Sequence, residues 1–274
     1  MIKNITLIIA IFISLTACTV TRSNIGLTIA GSNSILSFAE KLAEEYTRRN
    51  PGNYVNVQGG GSTAGFTSTE SGAADIGMSS RTPRANESHF WYVEIARDGL
   101  AIIVNNQNSV DNLSIAQLRA IYSGEITNWQ EVGGIDANIH LISREEGSGT
   151  RGAFEELVMG ETRITPRSMV QDANGAIRQV VASDPNAIGF ISLGLVDETI
   201  KALKMDGVAT THENIMNGSY SLARPFLFVS YQEPTGRARQ FIDFVLSEEG
   251  QAILVEEGLI SILIPNQQSI PRQG

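Results

Sequence analysis

The sequence predicts an α/β fold with a mostly parallel sheet, on three observations. A strand–turn–helix rhythm runs three times before residue 105 and resumes in the second half, as in folds where helices cover a parallel sheet. Residues 99–105 are a continuous apolar run of strand length, of the kind buried on both faces. Polar turns stand at 31–34, 59–63, 79–81 and 144–150. Each follows a predicted strand, where open α/β sheets receive ligands.

Residues 26–30 read as the first strand and Gly31-Ser32-Asn33-Ser34 as a tight turn. The next helix carries Ile35, Phe38, Ala39, Leu42, Ala43 and Tyr46 on one face, and Asn50-Pro51-Gly52 stops it. Residues 54–57 form a short strand, and Gly59-Gly60-Gly61-Ser62-Thr63 leads into a second helix. Residues 75–79 are a third strand, ending in Ser80-Arg81, and 99–105 a fourth. Further on, Ser114 caps a helix holding Ile115, Leu118, Ile121 and Tyr122, and 140–143 run as a strand into the 144–150 turn. Gly175 opens a helix through Ile177, Val180 and Val181. Residues 187–191 and 225–230 are strands, and 236–255 supply one or two helices with Phe241, Phe244, Val245, Ile253 and Leu254 toward the core. The sequence shows no fixed-period repeat and no low-complexity tract.

Residues 1–17 read as a signal peptide: Lys3 is the charged end, and the apolar run 5–15 is too short to span a bilayer comfortably. It ends in Leu15-Thr16-Ala17-Cys18, the form of a lipobox, in which the cysteine is diacylated and becomes the new N-terminus. A lone cysteine is more often a small buried hydrophobe, but the position of Cys18 directly after the apolar run favours lipidation. Residues 18–25 are then a tether, and the protein is expected at the cell envelope, anchored in the periplasm or on the outer face of the membrane. Cys18 is the one cysteine, so no internal disulfide forms. The formal charge is −9, and removal of residues 1–17 takes Lys3 and no acid, giving −9 − 1 = −10. That acidity argues against nucleic-acid binding. It does not oppose a small anion, because surface charge is screened over ~10 Å at 0.1 M salt.

Residues 144–151, Arg-Glu-Glu-Gly-Ser-Gly-Thr-Arg, carry the strongest chemical signal. Phe154, Leu157 and Val158 follow at helical spacing, so a helix opens at 148–150. Its first N–H groups and positive dipole end suit an anion. The glycines permit close backbone approach, Ser148 and Thr150 add hydroxyls, and Arg144 offers a bidentate fork. Taken alone, the octet is equally a capped helix start with surface arginines.

Other features read as structure. Gly59-x-Gly61-x-x-Ala64 matches a loose dinucleotide fingerprint, but the acid expected about 20 residues on is missing, since Asp75 begins its strand. No Gly-Lys-Ser/Thr is present, and position 146, a Glu, rules out a Gly-x-Ser-x-Gly elbow. His89, His140 and His212 lie in unrelated segments without metal or triad spacing. Trp91 and Trp129 are expected to pack, Met78 to line a core, and Arg151 to be structural. Arg81 is either a ligand arm or a salt bridge, with the ligand arm preferred.

Six segments together resemble the phosphate-binding protein family of bacterial ABC transporters: Ala30-Gly-Ser-Asn-Ser34, Val57-Gln-Gly-Gly-Gly-Ser-Thr63, Ala74-Asp-Ile-Gly-Met-Ser-Ser-Arg81, Ile121-Tyr-Ser-Gly-Glu-Ile-Thr-Asn-Trp129, Arg144-Glu-Glu-Gly-Ser-Gly-Thr150 and Pro185-Asn-Ala-Ile-Gly-Phe190. Each is weak alone; their order and spacing are specific. The resemblance implies a two-lobed periplasmic-binding-protein fold of type II, with 99–105 and 225–230 as hinge strands. Lobe one would be 26–100 plus 230–274 and lobe two 105–224. It implies a binder and not an enzyme, with no cofactor and no metal. Expected partners are inorganic phosphate, permease subunits and the membrane through the lipid anchor alone, with the chain a monomer.

The site residues implied are Asn33 and Ser34 in the first turn, Ser62 in the second, Ser80 and Arg81 in the third, and Arg144, Ser148, Gly149 and Thr150 in the octet. Glu146 would hold Arg144 in place. Ser80 departs from the family: many long members carry an aspartate here, which accepts the proton of phosphate and repels sulfate. Alternatives are a binder of another tetrahedral oxyanion such as sulfate, molybdate or arsenate, a stand-alone phosphate sensor, or a phosphoesterase.

Overall fold

The computed structural model describes residues 26–263; the signal peptide, the tether and Cys18 lie outside the described residues. Strand β1 (Leu27–Gly31), helix α1 (Leu36–Arg49), β2 (Val55–Gly59), α2 (Ser62–Glu70) and β3 (Ile76–Ser79) reproduce the expected rhythm. Helix α1 buries Phe38, Ala39, Leu42, Ala43 and Tyr46, the face set by its spacing. β1 pairs in parallel with β2 and with β3.

Strand β4 (Trp91–Asn105) is the spine of the molecule. Its residues 91–99 pair antiparallel with β11 (Ala223–Ser230), and 100–104 pair antiparallel with β8 (Ala187–Ser192). β6 (His140–Arg144) joins β8 and β7 (Met169–Gln171) in parallel, and β9 (Ile200–Ala202) pairs the end of β4. The curled sheet therefore runs β2-β1-β3-β11-β4-β8-β6-β7. A small two-stranded ribbon, β5 (Asn112–Leu113) with β10 (Lys204–Met205), lies apart. Helices α3 (Ile115–Ser123), α4 (Gly149–Phe154), α5 (Asn174–Ser183) and α6 (His212–Met216) belong to the β8 side of the sheet. α7 (Gly236–Val245) and α8 (Glu248–Glu256) resolve the expected 236–255 stretch into two helices. The changeover of partners falls at Gly99–Leu100, where the Leu100 amide donates to the Leu222 carbonyl at 2.8 Å. Residues 100–104, read from sequence as hinge, pair with β8. Residues 225–230, also read as hinge, pair with the first half of β4.

Two large apolar clusters lie on either side of this changeover. One gathers Ile29, Phe38, Leu42, Ile76, Phe226, Phe228 and Phe241, and Met78 is buried in it as expected. The other gathers Ile102, Leu118, Tyr122, Trp129, Phe154 and Phe190. Trp129 is fully packed and donates Nε1 to the Asn186 carbonyl at 3.0 Å. Trp91, only partly buried, opens β4.

At the changeover sits a wholly buried ion pair. Asp98 Oδ2 accepts from Arg224 Nε and Nη2 at 3.0 and 2.8 Å, and Oδ1 accepts from Ser192 Oγ and the Leu193 amide at 2.8 and 3.2 Å. Burial pushes the Asp98 carboxyl up, against the pull of Arg224 and Ser192. Removing one member of a buried pair strands the other charge, typically at about 3–5 kcal/mol. Asp98→Ala is therefore expected to lose about that much in chemical denaturation, whereas an apolar replacement of both partners should recover most of the loss.

Candidate functional site

The N-termini of α1, α2, α4 and α5 converge, α1 and α2 from one side of the changeover, α4 and α5 from the other. Local packing sets α4 in place. Phe154 stacks on Phe190 with ring centroids 4.2 Å apart and lies 4.6 Å from Tyr122, whose hydroxyl donates to the Ile142 carbonyl. Ser148 caps the helix by accepting from the Arg151 amide at 3.3 Å, as an N-cap serine should. After six residues α4 widens into a π-turn, Glu155–Met159.

Buried hydroxyls meet between the four helix starts. Ser34 Oγ and Thr150 Oγ1 are 2.5 Å apart across the two sides. Ser34 Oγ also accepts from Asn174 Nδ2 at 3.2 Å. Ser32 Oγ accepts from the Ser34 amide and donates to Ser80 Oγ at 2.8 Å, and Ser62 Oγ accepts from the Ser80 amide at 3.0 Å. Gly149 is pressed against this group: a Cβ there would lie 2.0 Å from Ser62 Oγ and 2.3 Å from Ser80 Oγ. Asn33 lies at the rim. Its Oδ1 accepts from the Gly60 amide at 2.9 Å and its Nδ2 donates across to the Asp172 carbonyl at 3.0 Å. Backbone also meets backbone, the Thr63 amide donating to the Gly147 carbonyl at 3.2 Å. Gly61 makes room for this: it caps α2 at φ +86°, and a Cβ on it would sit 2.8 Å from the same carbonyl.

Arg144 is 1% exposed. Its guanidinium bonds the Glu145 carboxylate through Nε and Nη2, both at 2.9 Å, the Gln171 and Asp172 carbonyls at 3.2 and 2.9 Å, and Asn174 Oδ1 through Nη1 at 3.3 Å. The acid that holds Arg144 is therefore Glu145 and not Glu146, which is exposed. The chain turns at the end of β6, and the carbonyls of 171 and 172 draw the guanidinium to the Glu145 side.

Arg81 also differs from its preferred reading. Its two terminal nitrogens grip Glu87 at 2.6 and 2.7 Å, and its guanidinium lies over the Phe66 ring. Burial raises the Glu87 carboxyl, but the bonds from Arg81 and the Arg84 amide outweigh it and hold the group below its ordinary value. The Arg81 side chain is buried, and its stem packs on Gly152 of α4. It braces α4, its charge matched by Glu87. Arg151 is structural, bonding Glu155 and the Arg144 carbonyl.

Eight of the expected residues thus come together: Asn33, Ser34, Ser62, Ser80, Arg144, Ser148, Gly149 and Thr150. Sequence reasoning missed Ser32, Asn174 and Glu145. Ser32 stood inside a quoted turn without a role, and Asn174 directly precedes the Gly175 that marked a helix start.

The match to known proteins agrees with this architecture. The model of the PBP superfamily domain matches residues 16–249. The phosphate-binding protein PstS of Bacillus subtilis is 31% identical over 242 residues, 86% of this chain and 80% of that protein. Two solved structures are similar. One is a Clostridium perfringens substrate-binding protein assigned to phosphate ABC transport and holding bound phosphate (TM-score 0.84, 42% identity, 87% of this chain and 100% of that one). The other is an ABC-type phosphate transport receptor from Vibrio cholerae (TM-score 0.76, 40% identity, 85% and 99%). A fold with two sheet halves sharing one spine, a cleft lined by helix starts, and this degree of likeness place the chain in the PBP superfamily, within its PstS-type family of phosphate-binding proteins.

Proposed function

We propose that this protein captures inorganic phosphate between its two lobes and delivers it to an ABC importer. The observation that carries the reading is the meeting of Ser34, Ser62, Ser80, Thr150 and Arg144 from both sides of the changeover in one buried cluster. An anion bridging such groups favours closure, because only the closed state satisfies all its oxygens. We take lobe one as 26–99 plus 223–263 and lobe two as 100–222, pivoting where β4 and β11 change hands. The chain acts as a binder and not as an enzyme. Supporting this, the cradle hydroxyls bond amides and one another, with no positioned nucleophile–base pair among the described bonds. It works as a monomer held at the membrane by diacylated Cys18. No described helix is long and apolar enough to cross a bilayer.

Calorimetric titration of the purified full-length chain with phosphate, after stripping bound anion, tests this. Tight saturable binding at one site per chain is expected; no heat with phosphate at any pH between 5.5 and 8.5 would refute it.

A further inference from the structure

The hydroxyls of the cradle are wired in one direction, and the wiring bears on which form of the ligand fits. Backbone N–H groups and guanidinium can only donate, and a hydroxyl that accepts from them is left with its own hydrogen to give. The Ser34 amide donates to Ser32 Oγ, and Ser32 donates to Ser80 Oγ, so Ser80 is left with a free hydrogen. The Ser80 amide donates to Ser62 Oγ, leaving a hydrogen on Ser62. Arg144 Nη1 donates to Asn174 Oδ1, which fixes the amide so that Nδ2 donates to Ser34 Oγ. Whichever way the hydrogen between Ser34 and Thr150 runs, one hydroxyl hydrogen of that pair remains. Three chains thus begin at obligate donors and end in donors, and Ser62 Oγ and Ser80 Oγ flank Gly149 together.

The carboxylates bonded around the cradle are engaged elsewhere, and those of Glu146 and Asp172 belong to exposed residues. Glu145 is held by Arg144, Glu87 by Arg81, and Asp98 by Arg224, Ser192 and the Leu193 amide. Glu155 is taken by Arg151, and Glu156 faces Thr82 at the rim. The histidines bond away from the cradle, His140 to Asp184 and His212 to the Gly258 carbonyl, while His89 packs on Phe90. A protonated ligand oxygen would have to share a hydroxyl that already accepts one bond, with no carboxylate to hold its proton.

We propose, building on the phosphate reading above, that this cleft takes its tetrahedral oxyanion as a dianion, and that the Ser32–Ser80 pair offers no charged acceptor for the one proton that separates hydrogen phosphate from sulfate. Specificity then comes from charge and size, and sulfate competes.

The test is phosphate and sulfate affinity of the full-length chain from pH 5.5 to 8.5, with proton release counted by calorimetry in two buffers of different ionisation enthalpy. Phosphate affinity is expected to fall about tenfold per pH unit below the second ionisation of phosphate, with a proton released on binding. Sulfate should bind at all these pH values, with a flat profile and no proton released. Ser80→Asp should reverse the pattern, flattening the phosphate profile and expelling sulfate. Phosphate binding that is flat with pH, or wild-type binding of phosphate with sulfate silent, would overturn the proposal and leave the phosphate reading standing. Failure of both anions to bind would overturn both; because the pH and proton readouts use the unaltered chain, misfolding of the variant would not obscure the result.

Discussion

Gly149→Ala should abolish ligand binding while leaving the fold intact. The added methyl would stand 2.0 Å from Ser62 Oγ and 2.3 Å from Ser80 Oγ, well inside contact distance. Both oxygens lie on the other side of the changeover from α4, so the overlap is relieved by keeping the lobes apart. Nothing within α4 opposes the change, since alanine at the first turn of a helix is favourable by up to about 1 kcal/mol over glycine. The expected result is phosphate affinity lowered at least about 100-fold, with a thermal midpoint equal to or above that of the wild type. Small-angle scattering should show the variant more extended with phosphate present. Wild-type affinity in this variant would mean that the ligand is not bound in the closed arrangement.

Arg144→Ala should be the second large effect. The residue is buried, carries the charge of the cradle, and reaches Ser34 through Asn174. Truncating a buried charged donor costs about 2–4 kcal/mol of binding, a fall in affinity of about 30- to 1,000-fold. Glu145 is partly exposed and can be hydrated when its partner is gone, so stability should fall less than affinity. Arg144→Lys should recover only part of the loss, because an ammonium cannot reproduce the fork that spans Glu145, two carbonyls and Asn174. Calorimetry of the three proteins, with denaturation curves alongside, checks this; unchanged affinity in Arg144→Ala would remove Arg144 from the site.

These two residues also show what could be read in advance. Strands β1, β2, β3, β6, β8 and β11 and the buried face of α1 were legible because they rest on local periodicity, whereas the short β5, β7, β9 and β10 carried no such signal. So was the cluster of polar turns, because each turn follows its own strand. The first half of β4 was not. Glu94, Arg97 and Asp98 interrupt its apolar pattern, and Asp98 finds its partner at Arg224, 126 residues away. The acid that holds Arg144, expected at Glu146 and found at Glu145, was missed for a similar reason. Glu145 and Glu146 follow Arg144 by one and two residues, and the choice is made by carbonyls of residues 171 and 172 brought in by β7. For Arg81 the ligand arm was preferred over a salt bridge, and it is the salt bridge, to Glu87 six residues on, that forms. What escaped the sequence was pairing at a distance, and the interior of the site consists largely of that.

The shared spine has a consequence for how the chain is made. The half of β4 that belongs with β1 and β3 is edged by β11, and their cluster depends on Phe226, Phe228 and Phe241. During synthesis from the N-terminus, none of these is present until all of residues 100–222 have emerged. The lobe begun first is therefore completed last, and until then it exposes an open sheet edge and half a core. Its neighbour, continuous in sequence, has every strand it needs beforehand and supplies the platform on which the returning chain closes.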